Sequence, residues 1–336
     1  MSASADRWRV PVIDVAALVA RKSGQATVAI EIGRACRDTG FFYVVGHGVD
    51  PTLCEALAEH SRRFFALPDA HKSRIRMELA GRAWRGWFPL GGELTSGVPD
   101  DKEGLYFGAE LAVDHPLVVA RTPLHGANLF PELPGFRETV LAYIDALTRL
   151  GHALVRGIAL SLGLDEDFFE RQYTRDPLVL FRIFRYPALR PNTETLSRWG
   201  VGEHTDYGLL TMLLQDDVGG LEVKSRSEWT AAPPIPGSFV CNIGDMLDRM
   251  THGLYRSTPH RARNTSARDR LSFAFFFDPS FDARVRPIEG IASDMLTDDA
   301  HERWDHASVH AFDGTYGDYL LAKVRRVFPE LRKDTR

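Results

Sequence analysis

Apolar positions along the chain change period near its middle. Over residues 25–38, Val28, Ile32 and Ala35 recur at helical spacing, and Asp38-Thr39-Gly40 supplies a stop. Residues 51–66 and 134–163 read as helices too. The second is long, with Val140, Tyr143, Ile144, Leu147, Leu150, Leu154, Ile158 and Leu162 on one stripe ending at Gly163. Residues 10–14 and 41–45 are compact β-prone runs, and residues 80–115, rich in glycine and aromatics, read as loop and strand. From about residue 177 the apolar runs become short and turn-bounded: 178–186, 209–214, 221–223, 239–243 and 271–277. Several such strands in sequence predict a β-sandwich or barrel. Residues 316–331 return to helical spacing. No repeat, linker or break in composition divides the chain, so it reads as one unit.

Composition narrows the function classes. Of 336 residues, 44% are apolar and 26% charged, which supports a large core without disulfide staples. The net charge of −4, with no basic stripe interleaved by aromatics, argues against a nucleic-acid partner. Cys36, Cys54 and Cys241 are odd in number and far apart, which fits reduced thiols rather than a disulfide framework or a zinc-thiolate site. No basic-then-apolar leader and no apolar run of about 18 residues occurs, so no membrane partner is expected and a cytoplasmic location is.

Candidate chemistry sits in the second half. In Gly202-Glu203-His204-Thr205-Asp206-Tyr207-Gly208, the side chains of His204 and Asp206 share a face of an extended segment. Two neutral imidazoles and one carboxylate make a facial triad with open positions, and His260 can supply the third ligand. Taken alone, His-x-Asp better fits a hydrogen-bonded loop histidine. His252 is a weaker rival to His260. Arg270 and Ser272 also share a strand face, where a guanidinium and a hydroxyl can grip one carboxylate; a strand-end ion pair is the bland alternative.

Together, HTDYG, STPHRARN and RLSFAFFFDP resemble the iron(II)/2-oxoglutarate-dependent oxygenases of the isopenicillin N synthase-like family. The segments VPVID, GFFYVVGHG, GVPDDKE, FRYP, QDDVGGLEV and NIGD resemble that family as well, so the likeness runs from about residue 8 to about 285. It implies a mainly β fold with flanking α, a double-stranded β-helix (jelly roll) wrapped by helices. Along the chain it implies an N-terminal region over 1–120, supporting helices over 121–175, the catalytic core over 176–290 and a helical tail over 291–336. It also implies Fe(II) at His204, Asp206 and His260, and 2-oxoglutarate at Arg270 and Ser272. O2 would then oxidise a C–H bond of a small molecule with release of succinate and CO2. An oxidase of the isopenicillin N synthase type that consumes no 2-oxoglutarate, an ethylene-forming variant that fragments it, and a non-catalytic binding protein on this fold are the alternatives.

Further residues fit around that frame. Arg182 shares a strand face with Leu180 and Phe184 and is expected near the carboxylate of the cosubstrate or of the substrate, and Tyr186 is expected near the cosubstrate. Arg85, Trp87, Phe107 and Phe275 are expected at the substrate, with Tyr106 beside them. Asn242 and Asp245 are expected to serve a turn, and His47 a Gly-His-Gly turn. Arg85 and Arg182 together suggest an anionic or amino-acid-like substrate. Nothing in the sequence specifies an oligomeric state.

Overall fold

A computed structural model of the chain describes residues 9–95, 97–189, 199–224, 228–291, 303, 306 and 308–327. Twelve strands form among these residues: β1 (Val12–Asp14), β2 (Phe41–Val45), β3 (Gly86–Phe88), β4 (Glu103–Gly108), β5 (Leu178–Tyr186), β6 (Val201–His204), β7 (Leu210–Gln215), β8 (Leu221–Lys224), β9 (Trp229–Ala231), β10 (Phe239–Ile243), β11 (His260–Ala262) and β12 (Arg270–Asp278). Eight of them make a major sheet in the order β1-β2-β10-β7-β12-β5-β4-β3, and four make a minor sheet in the order β6-β11-β8-β9. The two sheets are the halves of a jelly roll. Strands from the first half of the chain extend the major sheet at both edges.

Alternation along the strands decides what each sheet face does. On β12, Arg270, Ser272, Ala274, Phe276 and Asp278 face the space between the sheets; opposite them in register on β5 lie Tyr186, Phe184, Arg182, Leu180 and Leu178. The other face of the major sheet carries Phe273, Phe275 and Phe277, all but completely buried. It rests on the helix Phe136–Ser161, whose apolar stripe is shielded from water along its whole length. Contact there is close. A Cβ at Gly151 would fall on the Phe277 ring, so only glycine lets that helix approach the sheet. A second apolar cluster joins the sheets at the far side, with Phe41, Tyr43 and Val240 from the major sheet against Leu221 and Val223 from the minor one.

The helices Gln25–Asp38 and Pro51–Phe65 form where the spacing predicts them. In the second, Asp50 accepts from the Thr52 amide at 2.8 Å and Pro51 takes the first turn, as at an ordinary helix start. The final described helix, Tyr316–Val327, lines the cavity between the sheets with Tyr316, Leu320, Val324 and Val327; residues 328–331 of the expected tail helix are outside the described residues. Strands β6, β9 and β11, of three or four residues, have too little alternation to stand out in the sequence. No described helix is long and apolar enough to cross a membrane.

Candidate metal and cosubstrate site

The minor sheet brings the two histidines together. His204 ends β6 and His260 begins β11, and the two are paired partners in the antiparallel ladder. Their rings lie 4.2 Å apart, centroid to centroid. Asp206 follows β6 by two residues and turns its carboxylate between them, with Oδ1 at 3.8 Å from His204 Nε2 and Oδ2 at 3.8 Å from His260 Nε2. One ligand atom from each of the three lies within 4.8 Å of the others, and they are the only such cluster of His, Cys, Asp or Glu among the described residues. His252 is in a left-handed turn outside this cluster.

Outer partners aim each group. His204 Nδ1 pairs with the Gly202 carbonyl at 2.8 Å, and His260 Nδ1 with the Thr258 carbonyl at 3.2 Å. Both carbonyls accept, so each Nδ1 bears the proton and each Nε2 presents a lone pair to the cluster. Burial, with His260 alongside, pushes the His204 pKa down to about 3, which keeps that ring neutral. Burial alone would raise the Asp206 carboxyl. The two histidines and hydrogen bonds from Asn242 Nδ2 (2.6 Å) and Thr211 Oγ1 (2.6 Å) instead hold it below its ordinary value. Both donors go to Oδ2, leaving Oδ1 for a cation. Asn242 therefore does not serve a turn: it is an interior residue of β10, facing the carboxylate. Asp245 begins a short helix, where it takes a hydrogen bond from Tyr319 at 2.7 Å and an ion pair from Arg303. Gly208 is needed in this loop because a Cβ there would fall on the buried Asp278 carboxyl.

Arg270 lies on the same inner face, one side of the cavity. It is 1% exposed, so its charge needs an anion or several acceptors. Its Nε donates to the Gly219 carbonyl and its Nη2 reaches Gln215 Oε1 at 3.5 Å, while Nη1 is buried with no partner. The Tyr186 ring packs 4.6 Å below the guanidinium, and Ser272 Oγ reaches the Tyr186 hydroxyl at 3.4 Å. An orphaned guanidinium N–H beside this pair of hydroxyls is a cradle for a carboxylate. Between this cradle and the cluster the walls are apolar: Leu213, Leu221, Val201, Ala262, Ala274 and Phe41. A dicarboxylate that chelates a cation at one end fits such a lane, so the residues present suit both an iron ion and 2-oxoglutarate.

Other candidates separate by strand parity. Arg182 faces the cavity, whereas Arg185, an odd number of residues on, points out to Glu103 (2.6 Å) and Asp269 (2.7 Å). Trp87 and Phe107 face away from it. The Trp87 indole donates to Glu103 at 2.8 Å, and Phe107 stacks on Phe130 and Phe181. Phe275 is likewise on the helix side, and its neighbour Phe276 lines the cavity. Arg85 is 2% exposed, donates to the Leu124 carbonyl at 2.8 Å and fills the space above Gly108, away from the cavity. The expectation that Arg85, Trp87, Phe107 and Phe275 line the substrate space is thus corrected. Residues that do line it, none of them among the expected site residues, are Glu93, Thr95, Lys102, Asp278 and, from the final helix, Tyr316, Leu320, Val324 and Val327; Lys102 and Asp278 lie within GVPDDKE and RLSFAFFFDP.

The outer face of the minor sheet carries a clamp. Arg261, next to His260, lies between the rings of Trp199 (4.0 Å) and Trp229 (3.8 Å) and donates to Glu222 Oε2 at 2.7 Å. Trp199 lies two residues ahead of β6, and the other three residues belong to β11, β8 and β9, so one contact set ties all four strands. Arg261→Ala is expected to lower stability by about 2 kcal/mol, as for lost cation–π and half-buried ion-pair contacts. It should also weaken Fe(II) binding by roughly tenfold, as outer supports of metal ligands do. Thermal unfolding and equilibrium dialysis read the two effects, with Arg261→Lys, which cannot stack as a plane, falling between.

Two family models match the chain: "non-haem dioxygenase in morphine synthesis N-terminal" over residues 10–133 and "2OG-Fe(II) oxygenase superfamily" over residues 178–279. Among curated proteins, a probable iron/ascorbate oxidoreductase of Dictyostelium discoideum is 51% identical, covering 97% of this chain and 96% of its own length. A homoarginine-6-hydroxylase of Glycine max is 36% identical, covering 96% of this chain and 98% of its own. Among solved structures, a full-length Neurospora crassa protein in complex with alpha-KG and thymine superposes with a TM-score of 0.79 at 26% identity, covering 96% of this chain and 98% of that one.

Proposed function

The chain belongs to the 2OG-Fe(II) oxygenase superfamily, non-haem iron dioxygenases that oxidise small molecules with O2 and 2-oxoglutarate, and on that premise we propose the part each residue plays. His204 and His260 offer Nε2, and Asp206 offers Oδ1, to Fe(II). Arg270 and Ser272, with the Tyr186 ring beneath, hold the carboxylate of 2-oxoglutarate farthest from the metal. Bound iron supplies the redox chemistry by which O2 converts 2-oxoglutarate to succinate and CO2 and oxidises a substrate C–H bond. The protein's own work is orientation and dryness. The outer partners fix the ligand rings, the guanidinium fixes the dicarboxylate lengthwise, and the apolar lane with the final helix excludes water. The observation that carries this reading is the buried, unpartnered Nη1 of Arg270 on the same inner face as the His-Asp-His cluster.

Arg182 sets the substrate class. Its guanidinium is on the cavity wall with Nε lacking a partner, so the substrate carries a carboxylate and is amino-acid-like. Support comes from the relative named for hydroxylating homoarginine, an amino acid. Three unpaired cysteines, of which burial pushes the Cys36 thiol up to about 12, fit a reducing cytoplasm. The test is turnover: with Fe(II), O2 and a panel of free amino acids, 2-oxoglutarate consumed should equal succinate formed. O2 uptake that proceeds unchanged without 2-oxoglutarate would instead assign the four-electron oxidase of the isopenicillin N synthase type.

A further inference from the structure

The cavity wall beside the metal cluster carries more charge than the reaction uses. Glu93 lines the cavity at 3% exposure, in the loop between β3 and β4. Its Oε1 accepts from the Tyr106 hydroxyl at 2.5 Å, and its Oε2 lies 2.9 Å from Lys102 Nζ. Lys102 is shared with a second buried acid, Asp100, at 2.5 Å. Arg182 completes the group. Its guanidinium is sandwiched between the Tyr106 ring (4.4 Å) and the Phe276 ring (4.7 Å), and its Nη1 stands 3.7 Å from Glu93 Oε1, beyond hydrogen-bond distance. Two carboxylates thus face two cations. Although burial works against it, Lys102, Arg182 and the Tyr106 hydroxyl hold the Glu93 carboxyl below its ordinary value, so it is an anion.

That balance constrains the ligand. A simple carboxylate arriving at Arg182 would draw the guanidinium's field away from Glu93 and leave the wall with one buried negative charge in excess. An uncompensated buried charge costs several kcal/mol. A bare amine arriving at Glu93 would leave the opposite excess beside Arg182. A ligand with both charges satisfies each partner: its carboxylate takes the unpartnered Nε edge of Arg182, and its cationic nitrogen takes the lone pairs of Glu93 not used by Tyr106 and Lys102. The open 3.7 Å pair is the place where such a head group enters.

We infer that Glu93 and Arg182 form a zwitterion subsite, with Glu93 the residue that selects substrates bearing a cationic nitrogen near their carboxylate. This rests on the reading of Arg182 given above and narrows it: an anion alone is rejected. Thr95, hydrogen-bonded to Asp100 and on the same wall, fixes the loop that carries Glu93. The sandwich of Arg182 between two rings leaves the guanidinium little freedom, so a bound head group is held in one orientation relative to the metal.

Calorimetric titration of the Fe(II) protein, with and without 2-oxoglutarate, tests this with three probes built on each amino-acid skeleton of a panel. The probes are the free amino acid, the matching acid lacking the amine and the matching amine lacking the carboxylate. At least one amino acid should bind at least about tenfold more tightly than both of its partners. Glu93→Gln, which keeps the shape and removes the charge, should erase the margin over the deaminated acid while 2-oxoglutarate still binds. Arg182→Gln should erase the margin over the amine. Deaminated acids that bind wild-type protein as well as the amino acids, or failure of every amino acid to bind, overturns the proposal without need of any variant. Failure of 2-oxoglutarate to bind while an amino acid binds with the stated margin would instead overturn the cosubstrate reading and leave the zwitterion subsite standing.

Discussion

Asp206→Ala is expected to abolish Fe(II) retention and turnover. Asp206 is the one anion of the cluster, and without it two neutral imidazoles at the ends of β6 and β11 must hold a dication unaided. The loss should exceed the roughly 10–100-fold weakening that removal of an outer partner such as Asn242 produces. The folded protein should persist. The Asp206 carboxylate is held by two side-chain donors, Thr211 and Asn242, whose space water can fill once the carboxylate is gone. Metal content after dialysis, with a thermal melt as the control for folding, measures both. His204→Ala should follow Asp206→Ala, and His252→Ala should retain metal, since that histidine is outside the cluster.

A different signature is expected from Arg270→Ala. Iron should stay bound, because no atom of Arg270 is in the cluster, while the 2-oxoglutarate requirement rises by on the order of 100- to 1,000-fold. The size follows from the interaction removed: truncating one partner of a buried, hydrogen-bonded charge pair costs about 3–4 kcal/mol, and each 1.4 kcal/mol is about tenfold in affinity. Arg270→Lys should recover only part, because an ammonium cannot stack on the Tyr186 ring while bonding Gly219, Gln215 and a carboxylate at once. Apparent KM for 2-oxoglutarate at saturating Fe(II) checks this. A variant that lost iron and cosubstrate together would point to collapse of the strand rather than loss of a contact.

The chemistry was more legible than the pocket. His204 and Asp206 stand two apart at a strand end, and Arg270 and Ser272 two apart on another, so alternation alone proposes both pairs. The same alternation, carried four residues further along β12, assigns Phe276 and not Phe275 to the cavity; the signal was in the sequence and lay in the phase set by Arg270. Trp87 and Phe107 follow the same rule, since on β3 and β4 the cavity face belongs to Gly86, Phe88, Gly104 and Tyr106, the partners in register with the inward residues of β5. Arg85 could not be placed that way. It precedes β3, and its burial depends on the carbonyl of Leu124 and the missing side chain of Gly108, both distant in sequence.

Long-range pairing hid the rest. The second partner of the Asp206 carboxylate, Asn242, is 36 residues on, and only the adjacency of β10 and β7 in the sheet brings it to Thr211 and the carboxylate. Glu93 lies in a loop with no periodicity to read, and it acquires meaning only when β4 and β5 bring Tyr106 opposite Arg182. Helices and long strands, by contrast, form from local pattern: the stretches 25–38, 41–45, 178–186 and 239–243 coincide with Gln25–Asp38, β2, β5 and β10. Strands β6, β9 and β11 of the minor sheet, three or four residues long, are stabilised by the sheet they join rather than by their own residues, and the two histidine ligands sit on two of them.

The most direct measurement is an anaerobic titration of the Fe(II) protein with 2-oxoglutarate, following the weak visible charge-transfer band of the metal chelate. A saturable band in wild-type protein, absent in Asp206→Ala and shifted to far higher 2-oxoglutarate in Arg270→Ala, is the predicted result. No band in wild-type protein that demonstrably holds iron would contradict the account.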